Sequence, residues 1–191
     1  MKYKKLTGII LKKQNYREAD QILTVWTKEA GKIRVLAKSI RKPASKLAYS
    51  VQDLGIAQID IVGSKLPVLI GAKPIRQFQS LREDLQKTAI GLYGAELMLK
   101  MTADEHPNDQ AYELLSDFLH DLDRLDYSVK YYPLLECFSL ELLEYLGFKI
   151  PQDLNRQQVM EMESDEIERV HGTINKFIEY VLERPIWMTK F

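Results

Sequence analysis

Apolar residues in the first eighty positions recur with the period of a strand, and in the remainder with the period of a helix. Lys4–Lys13 carries Leu6, Ile9, Ile10 and Leu11 and is rich in β-branched side chains, which suit a pleated, half-buried surface. Asp20–Lys28 alternates, with Ile22, Thr24 and Trp26 on one face and Leu23 and Val25 on the other. Glu29-Ala30-Gly31 is a short connection whose glycine can take a positive φ, so a hairpin is predicted there. In Lys32–Lys38, Ile33, Val35 and Ala37 face one way and Lys32, Arg34, Leu36 and Lys38 the other. One face is core and the other a cationic ladder. Ile56–Val62 and Val68–Phe78 supply two more strands around Gly63–Pro67. Five short strands with an irregular insertion before the fourth fit an OB-fold barrel. An SH3-like barrel has similar counts. Closure would also remove unpaired sheet edges.

From Ser80 onward the pattern changes. Ser80-Leu81-Arg82-Glu83 has the form of a capping box and predicts a helix over Leu81–Met101. Gly91 and Gly94 inside it cost helicity but permit close packing against a neighbour. Further helices are predicted over Asp109–Leu125, Val129–Leu146 and Asp165–Glu183, with Pro133 in a first turn and Gly147 as a terminator. Ile150–Glu163 is polar and without period, and the last residues, Arg184–Phe191, end in large apolar groups of a kind that docks on a body. The expected class is therefore α+β. An OB-fold nucleic-acid-binding domain is expected over residues 1–79, and an all-α helical domain over 80–191.

Charge sharpens this division. The formal net charge is zero, yet residues 1–80 hold 16 Lys and Arg against 5 Asp and Glu, and residues 81–191 hold 11 against 22. The halves thus carry +11 and −11, which points to a polyanion-facing module joined to one with another task. The cations cluster on strands and in the insertion Ser39–Ser50, where Pro43 limits flexibility and Ser and Ala keep the surface low. Lys12, Lys13, Arg17, Lys32, Arg34, Lys38, Arg41, Lys42 and Lys46 are the candidate phosphate contacts. Tyr16, in a polar turn before Arg17, is the better candidate for stacking on a base, because Trp26 shares a face with Ile22 and fits a core equally well.

Catalytic chemistry finds no support. His106, His120 and His171 are dispersed, and no phosphate-binding Gly-rich loop ending in GK[ST] is present. Asp20, Asp53 and Asp60 are the only aspartates before Asp84, too few for a carboxylate-built metal nuclease. The single Cys137 excludes an intramolecular disulfide and a multi-cysteine zinc site, and its apolar neighbours suit a structural thiol. Neither a signal peptide nor a membrane span is expected. The expectation is a cytoplasmic, non-enzymatic protein without cofactor or metal. It binds nucleic acid, or else serves as a protein adaptor or an RNA-binding barrel.

The stretch GIILKKQNYREADQILTVWTKEAGKIRVLAKSIRKPASKL resembles the opening of the RecO family of recombination mediators in order and spacing. Gly8, Leu11, Tyr16, Glu18, Asp20, Leu23, Thr24, Thr27, Gly31, Lys38, Arg41, Pro43, Ser45 and Leu47 fall on that pattern. It continues through Pro74–Leu85, Ala95–Met98 and Leu142–Phe148, and returns weakly in the last eight residues. The resemblance implies an N-terminal OB-fold followed by a helical domain. It also implies binding of single- and double-stranded DNA and annealing of complementary strands. The implied partners are RecR, the acidic tail of single-stranded-DNA-binding protein and, indirectly, RecA. Many family members carry a four-cysteine zinc module where this chain has NRQQVMEMESDEIE, so a shortened, zinc-free form is expected. Ala19 and Ser39 also depart from a Ser and a Gly common in the family.

Overall fold

A computed structural model describes residues 2–126, 131–148 and 154–183. The predictions for Val129, for Ile150 and for the tail Arg184–Phe191 lie outside these residues. The chain divides into two compact units. The first comprises Met1–Phe78 with Thr102–Tyr112, and the second Gln79–Met101 with Glu113–Phe191.

In the first unit β1 (Tyr3–Tyr16), β2 (Asp20–Thr27), β3 (Gly31–Ala37), β4 (Ile56–Val62) and β5 (Val68–Arg76) close into a barrel in the order β1-β2-β3-β5-β4. This is the five-stranded OB-fold expected from the alternation. β1 pairs with both β2 and β4, so it is the seam from which the barrel closes, and a register shift between Ile10 and Lys12 lets it bend from one partner to the other. The last side is thin, for β3 meets β5 in parallel only at Leu36↔Val68. Leu6, Ile10, Leu23, Val25, Val35, Ile59, Ile61 and Leu69 fill the interior, as period two requires. Ile40 and Val51 of the β3–β4 insertion join the same cluster, with Leu47 and Ala48 packed against it. The insertion is therefore the floor of the barrel as well as a surface loop.

Gly31 ends the β2–β3 turn with φ +66°, where Thr27 Oγ1 donates to its carbonyl at 2.9 Å and accepts from Ala30 N at 3.1 Å. The segment Thr102–Tyr112 passes directly over this turn. Glu105 N donates to Lys32 O at 2.9 Å, and Lys32 and Asp104 form an isolated parallel bridge.

The second unit is helical, and here two expectations need correction. The single helix predicted over Leu81–Met101 is two: α1 (Gln79–Glu83) and α2 (Leu85–Met101). Asp84 makes the break, because its Oδ1 accepts from Gln86 N at 2.8 Å and Lys87 N at 3.1 Å and so caps α2. Those amide hydrogen bonds hold the Asp84 carboxyl below the usual carboxylate range, helped by Tyr131 Oη at 3.1 Å. Ser80, assigned the capping role from sequence, instead accepts from the Lys87 ammonium at 3.0 Å. The second correction concerns the polar stretch after Ile150, which forms α5 (Arg156–Glu161) behind a reciprocal Asn155–Gln158 capping box.

The helices α3 (Asp109–Arg124), α4 (Tyr131–Tyr145) and α6 (Ser164–Leu182) follow the predicted pattern. At Gly94 α2 packs tightly against a neighbour, for a Cβ there would stand 2.7 Å from Phe118 Cε1, whose ring stacks on Phe138 at 4.5 Å. Cys137 is buried, and burial pushes its thiol up to about 11, which fits a structural role. Among the described residues no helix is long and apolar enough to cross a membrane.

Between α4 and α6 lies a buried polar chain. Glu136 Oε1 is 2.5 Å from His171 Nδ1, His171 Nε2 is 2.8 Å from Asn175 Nδ2, and Asn175 Oδ1 accepts from Tyr93 Oη of α2. Glu136 is 1% exposed, and its second oxygen has no hydrogen-bond partner among the described residues.

Candidate nucleic-acid interface

The outer face of β1–β2–β3 is set by register. Lys12 lies opposite Thr24 and Thr24 opposite Arg34, so two cations flank a small polar residue in one row across three strands. The next row on that face is Gln14, Ile22 and Leu36, and Tyr16 pairs with Asp20 at the end of the hairpin. Lys12, Arg34 and Lys38 are all exposed. Thr24, Ile22 and Leu36 are only partly so, leaving a shallow surface with charged margins.

The basic insertion is fastened to this face at both ends. Ser39 N donates to Asp20 Oδ1 at 2.7 Å, Arg41 N to Ala19 O at 3.0 Å, and Arg41 Nη1 to Glu18 O at 3.1 Å. At the far end Leu54 N donates to Ile10 O at 2.9 Å, and Lys13 Nζ meets Asp53 Oδ2 at 2.9 Å. Between these anchors Arg41, Lys42 and Lys46 are exposed. Two of these anchors use carboxylates, Asp20 on Ser39 N and Asp53 on Lys13, so those acidic groups are engaged in holding the loop while its cations stay exposed.

Tyr16 belongs to β1 rather than to the following turn, and it is 36% exposed with the Arg17 guanidinium 5.3 Å from its ring centroid. Arg17 itself has φ 54°, which turns its side chain back over the tyrosine. Trp26 is 1% exposed and so unavailable to a base.

Lys32 is a correction. Its alternation puts it in the cationic ladder, yet it is 6% exposed, with Nζ 2.6 Å from Thr102 O and 3.3 Å from Asp104 Oδ1. A lysine held this way is part of the fold and presents nothing to a phosphate. No local pattern signals it, because Asp104 is 72 positions away in the chain. The remaining candidates Lys12, Lys13, Tyr16, Arg17, Arg34, Lys38, Arg41, Lys42 and Lys46 line β1–β3 and the insertion.

Two family models divide the chain between them. One, described as "Recombination protein O N terminal", matches residues 1–78, and the other, "Recombination protein O C terminal", matches residues 82–154. The chain belongs to the RecO family. A DNA repair protein RecO from Listeria monocytogenes is 34% identical over 146 residues, covering 75% of this chain and 55% of its own. Those from Symbiobacterium thermophilum and Alkaliphilus metalliredigens are 31% and 30% identical, covering 74% and 76% of this chain and 56% and 58% of their own. The chain thus spans a little over half the length of these curated relatives. The RecO match ends near residue 154, and α5 and α6 occupy the sequence beyond it.

Proposed function

We propose that this RecO-family protein binds single- and double-stranded DNA on the barrel and speeds the pairing of complementary strands, without catalysing any covalent step. The supporting observation is the exposed cationic surface of β1–β3 continued by Arg41, Lys42 and Lys46 on an anchored loop. Two strands approaching each other repel, and neutralising phosphates on both lowers that cost. Binding should release counterions and weaken steeply with salt. In the cell the protein would work with RecR at single strands coated by single-stranded-DNA-binding protein, engaging that protein's acidic tail and so assisting the loading of RecA.

Annealing of two complementary fluorescent oligonucleotides, with and without protein at two salt concentrations, tests the reading. Acceleration at low salt that fades at high salt is expected, and no acceleration at either salt would sink it. The double reversal Arg41→Glu with Lys42→Glu should weaken single-strand binding and reduce the slope of log affinity against log salt by about 1.4 for two phosphate contacts on a single strand. An unchanged slope would remove those two side chains from the contact surface.

A further inference from the structure

The insertion between β3 and β4 uses its apolar residues almost completely. Ile40, Val51 and Leu54 are buried, and Leu47 and Ala48 pack against the barrel core. Tyr49 departs from this, standing 68% exposed between the inward-facing Ala48 and the buried Ser50 and Val51. Its hydroxyl has no hydrogen bond and its ring no aromatic or cationic partner among the described residues. Other exposed tyrosines of this unit are committed, Tyr3 to Asp60 through a 2.6 Å hydrogen bond and Tyr16 to the Arg17 guanidinium. The backbone around Tyr49 is nonetheless fixed, since Ser50 N donates to Leu47 O at 3.0 Å and Gln52 Nε2 to Ala48 O at 2.9 Å. A large aromatic surface is thus held out to solvent on a rigid mount, three residues beyond the exposed Lys46.

An exposed ring three residues along a fixed backbone from a candidate phosphate contact suits a base whose face is uncovered. Every base has such a face, but only an unpaired and unstacked one offers it. Resting on the DNA-binding reading above, we infer that Tyr49 is a stacking platform for an unpaired base, and that it biases the barrel toward single strands over duplex. The cations Arg41, Lys42 and Lys46 hold the backbone of either form. Tyr49 gains a contact only with the single strand. Because both flanks of the residue are already ordered by packing, little freedom is lost when the base arrives, so the contact adds to affinity almost in full.

Fluorescence anisotropy with a labelled oligo-dT strand, and separately with a blunt duplex of the same length, tests this on the full chain. Tyr49→Ala should bind the single strand roughly tenfold more weakly. Its duplex affinity and its salt slope should equal those of the unsubstituted protein, because no phosphate contact is lost. Tyr49→Phe should retain single-strand affinity, since stacking needs the ring and not the hydroxyl. Equal weakening on both ligands, or none on either, overturns the inference while leaving DNA binding intact. Failure of the unsubstituted protein to bind either ligand overturns the underlying reading and this inference with it.

Discussion

Gly31→Ala should destabilise the barrel unit by roughly 3 kcal/mol, about 1 from the left-handed backbone and the rest from a collision that cannot be relieved by rotating a side chain. A Cβ at this site would lie 2.4 Å from both the carbonyl carbon and the oxygen of His106 and 2.8 Å from its nitrogen. The positive φ of +66° removes the option of simply re-folding the turn around the new methyl. Either the β2–β3 turn opens, losing the Thr27 Oγ1 bond to Gly31 O, or the Thr102–Tyr112 segment moves off Lys32. Trp26 is buried two pairings away from the turn tip and reports on this unit. With Trp187→Phe as background, the urea midpoint of Trp26 fluorescence should fall markedly in the Gly31→Ala variant. A shift within error would mean that the segment above the turn yields freely.

His171→Ala should cost the helical unit about 3–5 kcal/mol near neutral pH, because it strands a buried carboxylate. Glu136 has already lost its water, and burial raises its carboxyl above the usual range, opposed by the hydrogen bond and charge of His171. Removing His171 removes the opposing influence. Tyr93 on α2 and Tyr132 on α4 also feel the Glu136 charge, and neither carries a positive charge that could replace that of the imidazole. The sign follows from proton counting. A carboxyl raised in the folded state binds more protons there than in the unfolded chain. Its contribution is fully present below the unfolded value of about 4.3 and is lost as pH rises through the folded value. The deficit of His171→Ala should therefore be larger at pH 8 than at pH 5. Adding Glu136→Gln should remove that difference. Urea unfolding followed by far-ultraviolet circular dichroism at the two pH values measures it, and equal deficits would show that the histidine matters only as volume.

The barrel was legible because each strand alternates in a way that only one buried face can satisfy, and Ile33, Val35 and Ala37 fell on it as expected. The helical half was legible in its longest helices and failed at their ends. Ser80 and Asp84 are both good cap residues four positions apart, and side-chain partners decided between them: Lys87 takes the Ser80 hydroxyl, while Tyr131, 47 positions away, reaches the Asp84 carboxylate. The same limit governs the candidate surface. Arg34, Arg41 and Lys42 could be placed on it because strand parity and loop composition are local. Lys32 has the same parity as Arg34, and only the fold reveals that a distant segment covers it. Trp26 shows the converse, an aromatic on the outer face that is nevertheless enclosed. Tyr49 needed the structure for the opposite reason, since sequence gives no measure of how completely its neighbours are used up in packing.

The passage of Thr102–Tyr112 over β3 bears on how this protein can be cut. A fragment that stops where the last barrel strand stops retains all five strands, but its Lys32 ammonium keeps neither Thr102 O nor the Asp104 carboxylate. Preserving those two contacts takes either a piece that runs on through the whole of α2 or a second peptide added to the first, so a cut at the end of β5 leaves the barrel unit incomplete.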